Sequence, residues 1–374
     1  MHRKVLVLGA VVALFFSALP VASAATVSPT FISLIHSATL AQPGVILIDP
    51  ETNQTLFENQ PDALRAPASV LKLVSMTTAI RDLGAETVFH TAIYESTNSG
   101  TYLMQGESDP WLTASPFEAA KFHRAFLPQL INDLVKAHPG KRSFTIDYNG
   151  VYSAEVHVLQ RYFAPRFNLN FHLISSQTQA QTLIGKRIGE ISSPKLSEIV
   201  EFTLLYSDNL LADRLARTAA RKVGLPTSFA GLQQSFEQTF TALNVEAKGL
   251  VVKDGNGLSK ETRISARTVA ELLLRIQSTP ELKVIFDGLP VAGETGTLKT
   301  RFVTDAPKAV GLIRAKTGWI NSSVSMAGYV TVGDSDYVFA IIANHIKQND
   351  YSRQLAREAI DKALASIARP KTNI

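Results

Sequence analysis

Three short stretches carry residues able to act together on a carbonyl: Ser69-Val70-Leu71-Lys72, Ser207-Asp208-Asn209 and Lys316-Thr317-Gly318. A serine hydroxyl is a poor nucleophile and needs a base beside it. Pro67-Ala68-Ser69 reads as the opening of a helix that runs to about Leu83 and stops at Gly84. Lys72 then lies one turn after Ser69 on the same face. The Ser69 N–H, in the first turn, is free to face a developing oxyanion. Lysine can take a proton only when neutral, so an ordinary pKa of ~10.4 must fall toward 7–8, a shift of roughly 4 kcal/mol. Burial and a second cation both push that way. Lys316 can be that cation and can also attract a substrate carboxylate. Gly318 lets a substrate lie against the strand edge, where a side chain would block it.

Each signal is weak alone. Ser192-Ser193-Pro194-Lys195 repeats the serine–lysine spacing, and Glu294-Thr295-Gly296 imitates the third stretch with the wrong charge. Context separates them. Ser193-Pro194 reads as a cap and a first-turn proline opening a helix through Ile199, Phe202 and Leu205. Ser207-Asp208-Asn209 falls in a break between two helical patterns, and Lys316-Thr317-Gly318 ends a predicted strand.

The elements that must position these residues follow from periodicity. Val45-Ile46-Leu47-Ile48-Asp49 is a strand ended by Pro50 and Asn53, and Leu56-Phe57 begins a second. From about residue 88, strand-like pieces (Thr91 to Tyr94, Tyr102 to Met104, Ser143 to Tyr148) alternate with loops and one helix over about 116–137. Further helices are predicted at about 210–223, 226–243 and 265–277. Strands follow at Val310 to Ala315, Val324 to Val332 and Tyr337 to Asn344, then an amphipathic helix from about Asp350 to Ala368. The chain ends thus supply one mostly antiparallel sheet of about five strands with helices packed on it, an α/β (α+β) architecture. Residues 25–95 and 189–374 form a discontinuous main domain, and 96–188 an inserted smaller one.

The 374 residues are 45% hydrophobic and 18% charged, with a formal charge of +5 and no cysteine. The length suits one large domain plus a smaller one. Absence of cysteine excludes a disulfide scaffold, cysteine-held zinc or iron–sulfur clusters and a cysteine nucleophile. No H-E-x-x-H is present for zinc and no G-x-S-x-G for a serine–histidine hydrolase, so neither metal nor cofactor is expected. The charge excess is too small, and too scattered, to imply nucleic acid. At the N-terminus, His2-Arg3-Lys4, an apolar run from Val5 to Leu19, and Ala22-Ser23-Ala24 read as an export signal cut after Ala24. No later stretch reaches the ~18–20 apolar residues of a membrane span. The expected location is the periplasm or the cell-wall space.

The trio, in this order, resembles the signature of penicillin-binding proteins and class A β-lactamases. More specifically, the chain resembles type-4 penicillin-binding proteins, the D-alanyl-D-alanine carboxypeptidases/endopeptidases of serine peptidase family thirteen. Residues 66–73, Gly106-Glu107-Ser108-Asp109-Pro110, 193–199, 206–212, Lys253-Asp254-Gly255-Asn256-Gly257-Leu258-Ser259 and 296–302 carry that resemblance. It implies a penicillin-binding transpeptidase-like fold acting on peptidoglycan stem peptides and acylated by β-lactam antibiotics. It further implies Ser69 as nucleophile, Lys72 as its base, Ser207 as proton relay to the leaving amine, and Asn209 as holder of Lys72 and of the substrate amide. Lys316 and Thr317 would bind the terminal carboxylate, and the N–H groups of Ser69 and Trp319 would form the oxyanion hole. Trp319 stands where the family usually carries a small hydroxyl residue, and the segment between Lys72 and Ser207 is short for the family. Two other readings use the same parts. A serine β-lactamase would need a glutamate downstream, Glu237 or Glu246, to activate water. A non-catalytic cell-wall binding protein would have lost Ser69, Lys72 or Lys316, and all three are present.

Overall fold

The computed structural model describes residues 27–371; the export signal lies outside the described residues. In chain order the strands are β1 (Gly44–Asp49), β2 (Gln54–Asn59), β3 (His90–Ser96), β4 (Thr101–Gly106), the two-residue β5 (Leu112–Thr113) and β6 (Ala125–Phe126), β7 (Ser143–Asn149), β8 (Asn168–Leu173), β9 (Ile184–Ser192), β10 (Ile313–Ile320), β11 (Ser323–Val332) and β12 (Ser335–Ala343). The first sheet has the order β10-β11-β12-β1-β2 and every pair in it is antiparallel. Strands from the two ends of the chain meet where β1 pairs with β12, Gly44 opposite Ile342.

Helices cover both faces of this sheet, which is why β1 is an unbroken apolar run. Successive side chains point to opposite faces. Val45 and Leu47 enter a core closed by the C-terminal helix Asp350–Ala365 through Ala356, Ile360 and Leu364, with Phe31 and Ile35 beside them. Ile46 and Ile48 enter a larger core with the helices Lys72–Leu83, Asn209–Lys222 and Ala266–Ser278. The second sheet, β8-β7-β4-β3-β9, is mixed: β4, β7 and β8 run parallel, and β3 pairs antiparallel with β4 and β9. Its apolar face (Ile93, Met104, Ile146) belongs to that same larger core.

Several expectations shift. The helix expected over 116–137 is two helices, Pro116–Phe122 and Pro128–Ala137, with β6 between them. Pro128 cannot donate an interior helical hydrogen bond and so starts a new helix, and His123 turns the chain with a φ of 53°. The helix expected from Ser193-Pro194 begins at Leu196 instead. The Ser193 hydroxyl is used elsewhere, accepting from the Phe89 N–H at 2.9 Å. Strand β10 does not end with Lys316-Thr317-Gly318 but carries the stretch in its interior and continues to Ile320. The borders drawn at 95/96 and 188/189 fall inside β3 and β9, whose strands extend to His90 and Ser192.

Asp109, in the turn after β4, is a buried acid with an unusual pH signature. One carboxylate oxygen accepts from the Trp111 N–H at 2.8 Å, and the other is buried without a hydrogen-bond partner among the described residues. Burial raises its pKa from 3.8 to about 7, opposed by the Trp111 bond and by Arg214. The folded state therefore holds the proton more tightly than the unfolded chain. Stability from this group is greatest below the unfolded value and falls as pH rises toward about 7. Asp109→Asn should stabilise the protein at pH 8 by about 1 kcal/mol, in line with the desolvation cost of one unpaired buried polar group. The gain should shrink to nothing near pH 4. Melting temperatures of both proteins across pH check this, and a gain independent of pH would refute it.

Candidate active site

Ser69 lies in a short 3-10 turn, Ala68–Leu71, and Lys72 is the first residue of the α-helix that continues it. In a 3-10 turn, side chains three apart eclipse one another, so Lys72 is stacked directly over Ser69. The Lys72 Nζ lies 2.8 Å from Ser69 Oγ, 2.8 Å from Asn209 Oδ1 and 2.7 Å from the Asn256 carbonyl. Asn209 and Asn256 offer oxygens that can only accept. A neutral amine therefore gives its two hydrogens to those oxygens and turns its one lone pair toward Ser69. The helix Asn209–Lys222 fixes Asn209 by starting there: Ser207, with a φ of 56°, ends the preceding helix, and Asp208 caps the next by accepting from the Leu211 N–H at 2.9 Å. Asp208 also pairs with buried Arg124 at 2.7 Å, which ties the inserted segment to this corner of the site.

Lys316 is fully buried in β10. Its Nζ donates to Ser207 Oγ at 2.9 Å and to the Thr317 carbonyl at 2.9 Å. The Thr317 hydroxyl shares a 2.9 Å hydrogen bond with that of Thr297. Two hydroxyl–lysine pairs, Ser69–Lys72 and Ser207–Lys316, thus come together from three separate parts of the chain.

Burial lowers the Lys72 pKa to about 7, partly offset by the carboxylates of Asp254 and Asp208. Burial, and then the charge of Lys72, holds Lys316 well below the ordinary lysine value. Neither lysine forms an ion pair with a carboxylate among the described residues, and Asp254 and Asp208 favour the cation of Lys72. A carboxylate arriving beside Lys316 supplies the missing countercharge, and the cation it creates then favours neutral Lys72.

Two main-chain donors near Gly318 are left uncommitted. The Ser69 N–H has no hydrogen-bond acceptor among the described residues. Along β10, the Ile313 carbonyl accepts from Ala292 and the Ala315 N–H donates to Pro290, both on the edge away from β11. The two-residue period puts the main-chain groups of Thr317 and Trp319 on that open edge too. Gly318 sits between them for a reason the sequence did not give. A Cβ there would lie 2.4 Å from Ser325 Oγ, 2.9 Å from the Pro67 carbonyl and 2.9 Å from the Ser69 nitrogen. Gly318 thus lets the strand approach the backbone of Ser69 and keeps its N–H uncovered. If Ser69 attacks a carbonyl whose oxygen is held here, Gly318→Ala should slow that attack by at least about 100-fold, the effect of losing one oxyanion donor. A stopped-flow acylation rate close to wild type would refute this.

Several positioning residues were not foreseen. Ser323 and Ser325 donate to the carbonyls of Ala66 and Pro67 at 2.7 and 2.6 Å, and Asn344 clamps Ala66 with bonds of 2.9 Å to its N–H and 3.2 Å to its carbonyl. These bonds pin the segment before Ser69 to β11 and β12, and they help hold Ala68 at a φ of 50°. Gly257 is equally constrained: its φ is 82°, and a Cβ would meet the Ala68 carbonyl at 1.9 Å. Asp254 shapes that loop by accepting from Gly257 and Ser259 at 3.1 and 2.6 Å. The second serine–lysine stretch, 192–195, is elsewhere: Ser192 ends β9, and Lys195 pairs with Glu86 at the surface. Trp319 is 51% exposed. Glu237 bonds Gln233 on its own helix, and neither Glu237 nor Glu246 has a hydrogen bond to any site residue.

Comparisons with known proteins agree with this geometry. The chain is 34% identical to the carboxypeptidase DacB of Mycolicibacterium smegmatis over 190 residues, 50% of this chain and 40% of that protein. It is 34% identical to the D-alanyl-D-alanine carboxypeptidase of Actinomadura sp. (strain R39) over 163 residues, 42% of this chain and 30% of that one. The chain therefore spans well under half the length of these relatives. Carboxypeptidase Rv3627c of Mycobacterium tuberculosis is 25% identical over 81% of this chain and 76% of its own. Among solved structures, penicillin binding protein 4 of Haemophilus influenzae superposes with a TM-score of 0.71 at 16% identity, covering 88% of this chain and 98% of that one, which shows the shared fold. The profile of the Peptidase S13 family, described as the D-Ala-D-Ala carboxypeptidase 3 family, matches residues 34–136 and 172–367. That span takes in all three stretches and both halves of the first sheet, and by it the chain belongs to the Peptidase S13 family.

Proposed function

We propose that the protein is a serine-type D-alanyl-D-alanine carboxypeptidase/endopeptidase that acts on peptidoglycan stem peptides through an acyl-enzyme on Ser69 and is acylated by β-lactams. The observation that carries this reading is the hydrogen-bonding of Lys72, which leaves one lone pair and aims it at Ser69. The substrate's terminal carboxylate settles beside Lys316 and Thr317 and charges Lys316. Neutral Lys72 takes the Ser69 proton as Oγ attacks the carbonyl, whose oxygen meets the N–H groups of Ser69 and Trp319. Ser207, held by Lys316, hands its hydroxyl proton to the departing amine and is reprotonated by Lys72, which becomes neutral again. Water then repeats the sequence, with Lys72 again the base, and frees Ser69.

The absence of a hydrogen bond from Glu237 or Glu246 to the site favours this reading over the β-lactamase alternative. The retention of Ser69, Lys72 and Lys316 favours it over a non-catalytic binding protein. Export follows from the N-terminal pattern and from the location of peptidoglycan outside the membrane. No helix among the described residues is long and apolar enough to cross a membrane. The inserted segment is proposed as an accessory unit that buttresses the site, bounded by the ends of β3 and β9 and fastened by Arg124–Asp208 and by Arg214–Glu155 at 2.7 Å.

The test is intact mass after incubation with benzylpenicillin, together with D-alanine release from a stem pentapeptide. A single persistent adduct on Ser69 and released D-alanine are expected. Rapid penicillin turnover without an adduct would favour the lactamase, and neither adduct nor release would favour the binding protein.

A further inference from the structure

From Val156 to Gly189 the chain has no aspartate or glutamate, while Arg161, Arg166, Lys186 and Arg187 fall within it. Scattered in the sequence, part of this charge is gathered by the fold with Arg142, from another stretch, around one groove. The helix Ser153–Phe163 closes at Ala164, because Pro165 cannot continue it. The chain then turns sharply, and the N–H groups of Arg166 and Phe167 both donate to the Phe163 carbonyl, at 2.8 and 2.9 Å. As β8 begins, the Asn168 N–H donates to the Arg142 carbonyl at 2.8 Å, which brings the start of β7 alongside. The result is a groove of about 640 Å³ lined by Arg142, Arg161 and Arg166, with Phe167 and Asn168 between them and no acidic residue in its lining.

The three arginines are held in place but lack counterions. The Arg142 guanidinium lies 5.5 Å from the Phe167 ring centroid, and that of Arg166 lies 5.5 Å from the ring of Tyr162 and 5.0 Å from that of Phe163. Such stacking positions a guanidinium before any ligand arrives. Beyond those rings, none of the three guanidinium groups has a hydrogen bond or ion pair among the described residues. The acids on the same elements are engaged elsewhere. Asp147, farther along β7, faces His172 at 3.6 Å, and Glu155, at the opposite end of the helix, pairs with Arg214 at 2.7 Å. Complementing the helix dipole accounts for Arg161, in the last turn, but not for Arg142, which another element supplies.

We propose that this groove binds a linear phosphate-bearing polymer, with Arg142, Arg161 and Arg166 donating to its phosphate oxygens. The all-arginine lining favours phosphate over carboxylate. Two carboxylate oxygens fill one guanidinium fork, whereas the tetrahedral oxygens of a phosphate accept from converging forks. The concave shape suits a threaded chain and not a lipid surface, which is held by apolar side chains inserted from an amphipathic face. Base stacking is disfavoured as well, because the rings of Tyr162 and Phe167 are already covered by guanidinium groups and Phe163 is buried. The groove lies at the start of β7. The far end of that strand, about 20 Å away at ~3.3 Å per residue, leads to Tyr152, whose ring lies 4.1 Å from the Arg214 guanidinium of the main domain. A bound polymer thus holds the inserted segment by its end away from Arg214, and the proposal does not depend on the peptidase reading.

The test titrates the protein with long-chain inorganic polyphosphate. Binding should saturate at about 0.1 M salt and weaken strongly at about 1 M, where the screening length falls from roughly 10 to roughly 3 Å. Arg142→Gln, Arg161→Gln and Arg166→Gln together should lower the affinity at least about tenfold. All three side chains are exposed, so the melting temperature should stay close to that of the parent. The corresponding triple lysine variant keeps the charge and loses the planar forks, so it should recover only part of the binding. Absence of polyphosphate binding, binding that survives the glutamine variant, or full recovery by lysine would overturn the proposal. Equally tight binding of poly-L-glutamate or of a single-stranded oligonucleotide would overturn the choice of a phosphate polymer. Arginine-dependent sedimentation with phosphatidylglycerol vesicles, without polyphosphate binding, would assign the groove to a lipid headgroup instead and overturn it too.

Discussion

Ser69→Ala should abolish penicillin labelling and D-alanine release entirely while leaving the fold intact. The variant removes the atom that becomes acylated, and no other hydroxyl substitutes for it. Ser207 is bound to Lys316, whose charge is required elsewhere, and Ser192 lies on β9 beside a surface-paired lysine. Removing the hydroxyl costs the fold little. The Ser69 segment is held through the carbonyls of Ala66 and Pro67, not through the Ser69 side chain, whose hydrogen bond goes to Lys72. Lys72 keeps Asn209 and Asn256 as acceptors. The melting temperature should therefore stay within a few degrees of wild type, as expected for a change below about 1 kcal/mol. Intact mass after labelling decides the matter. An adduct on the alanine variant, or one mapped to Ser192, would mean that the nucleophile is misassigned.

The second large effect separates the lysines. Lys72→Arg should lower acylation by about 10³-fold or more, within the range lost when a general base is removed. A guanidinium has no lone pair to offer Ser69 and does not deprotonate near neutrality. Lys316→Arg preserves a cation at the carboxylate site, so it should raise KM for the peptide more than it lowers kcat. The pH dependence follows with its sign. Lys72 acts when neutral and burial sets its pKa near 7, so wild-type acylation should climb as pH passes through about 7. At higher pH it should fall again, as Lys316 in the ligand complex loses the proton that the substrate carboxylate had stabilised. Arg at 316 should remove that descending limb and keep the ascending one. Equal and substantial rates in the two arginine variants, or an ascending limb that vanishes in Lys316→Arg, would contradict this division.

How much of this could be read from the sequence depends on how local each signal is. The helix carrying Ser69 and Lys72 announces itself through Pro67 and Gly84, and the break at Ser207-Asp208-Asn209 through two periodic patterns that fall out of phase. All five strands of the first sheet were legible because β1 and β12 are apolar runs bounded by turn residues. What was missed involves partners far along the chain. Ser323, Ser325 and Asn344 look like ordinary strand residues until β11 and β12 bring them against Ala66 and Pro67, more than 250 positions earlier. The full burial of Lys316 and the nearness of Asp254 and Asp208 to Lys72 were likewise invisible. The helix break before Pro128 was locally encoded and was overlooked in favour of the longer apolar period.

The pairing of β1 with β12 places the entire synthesis of the chain between the nucleophile and its support. Serine, lysine and asparagine are all present once residue 209 has emerged, yet the strand bearing Lys316 and the hydroxyls that pin Ala66 and Pro67 come 107 to 116 residues later, and Asn344 later still. Closing that sheet requires contacts separated by nearly 300 residues, among the slowest steps in forming a domain. On the proposed function and export route, a chain held unfolded for passage across a membrane carries no acylating centre and cannot be trapped by antibiotic on the way. Pulse-labelling with a fluorescent penicillin during refolding from denaturant should show adduct appearing only with the last kinetic phase, and chains truncated before β12 should never acquire it.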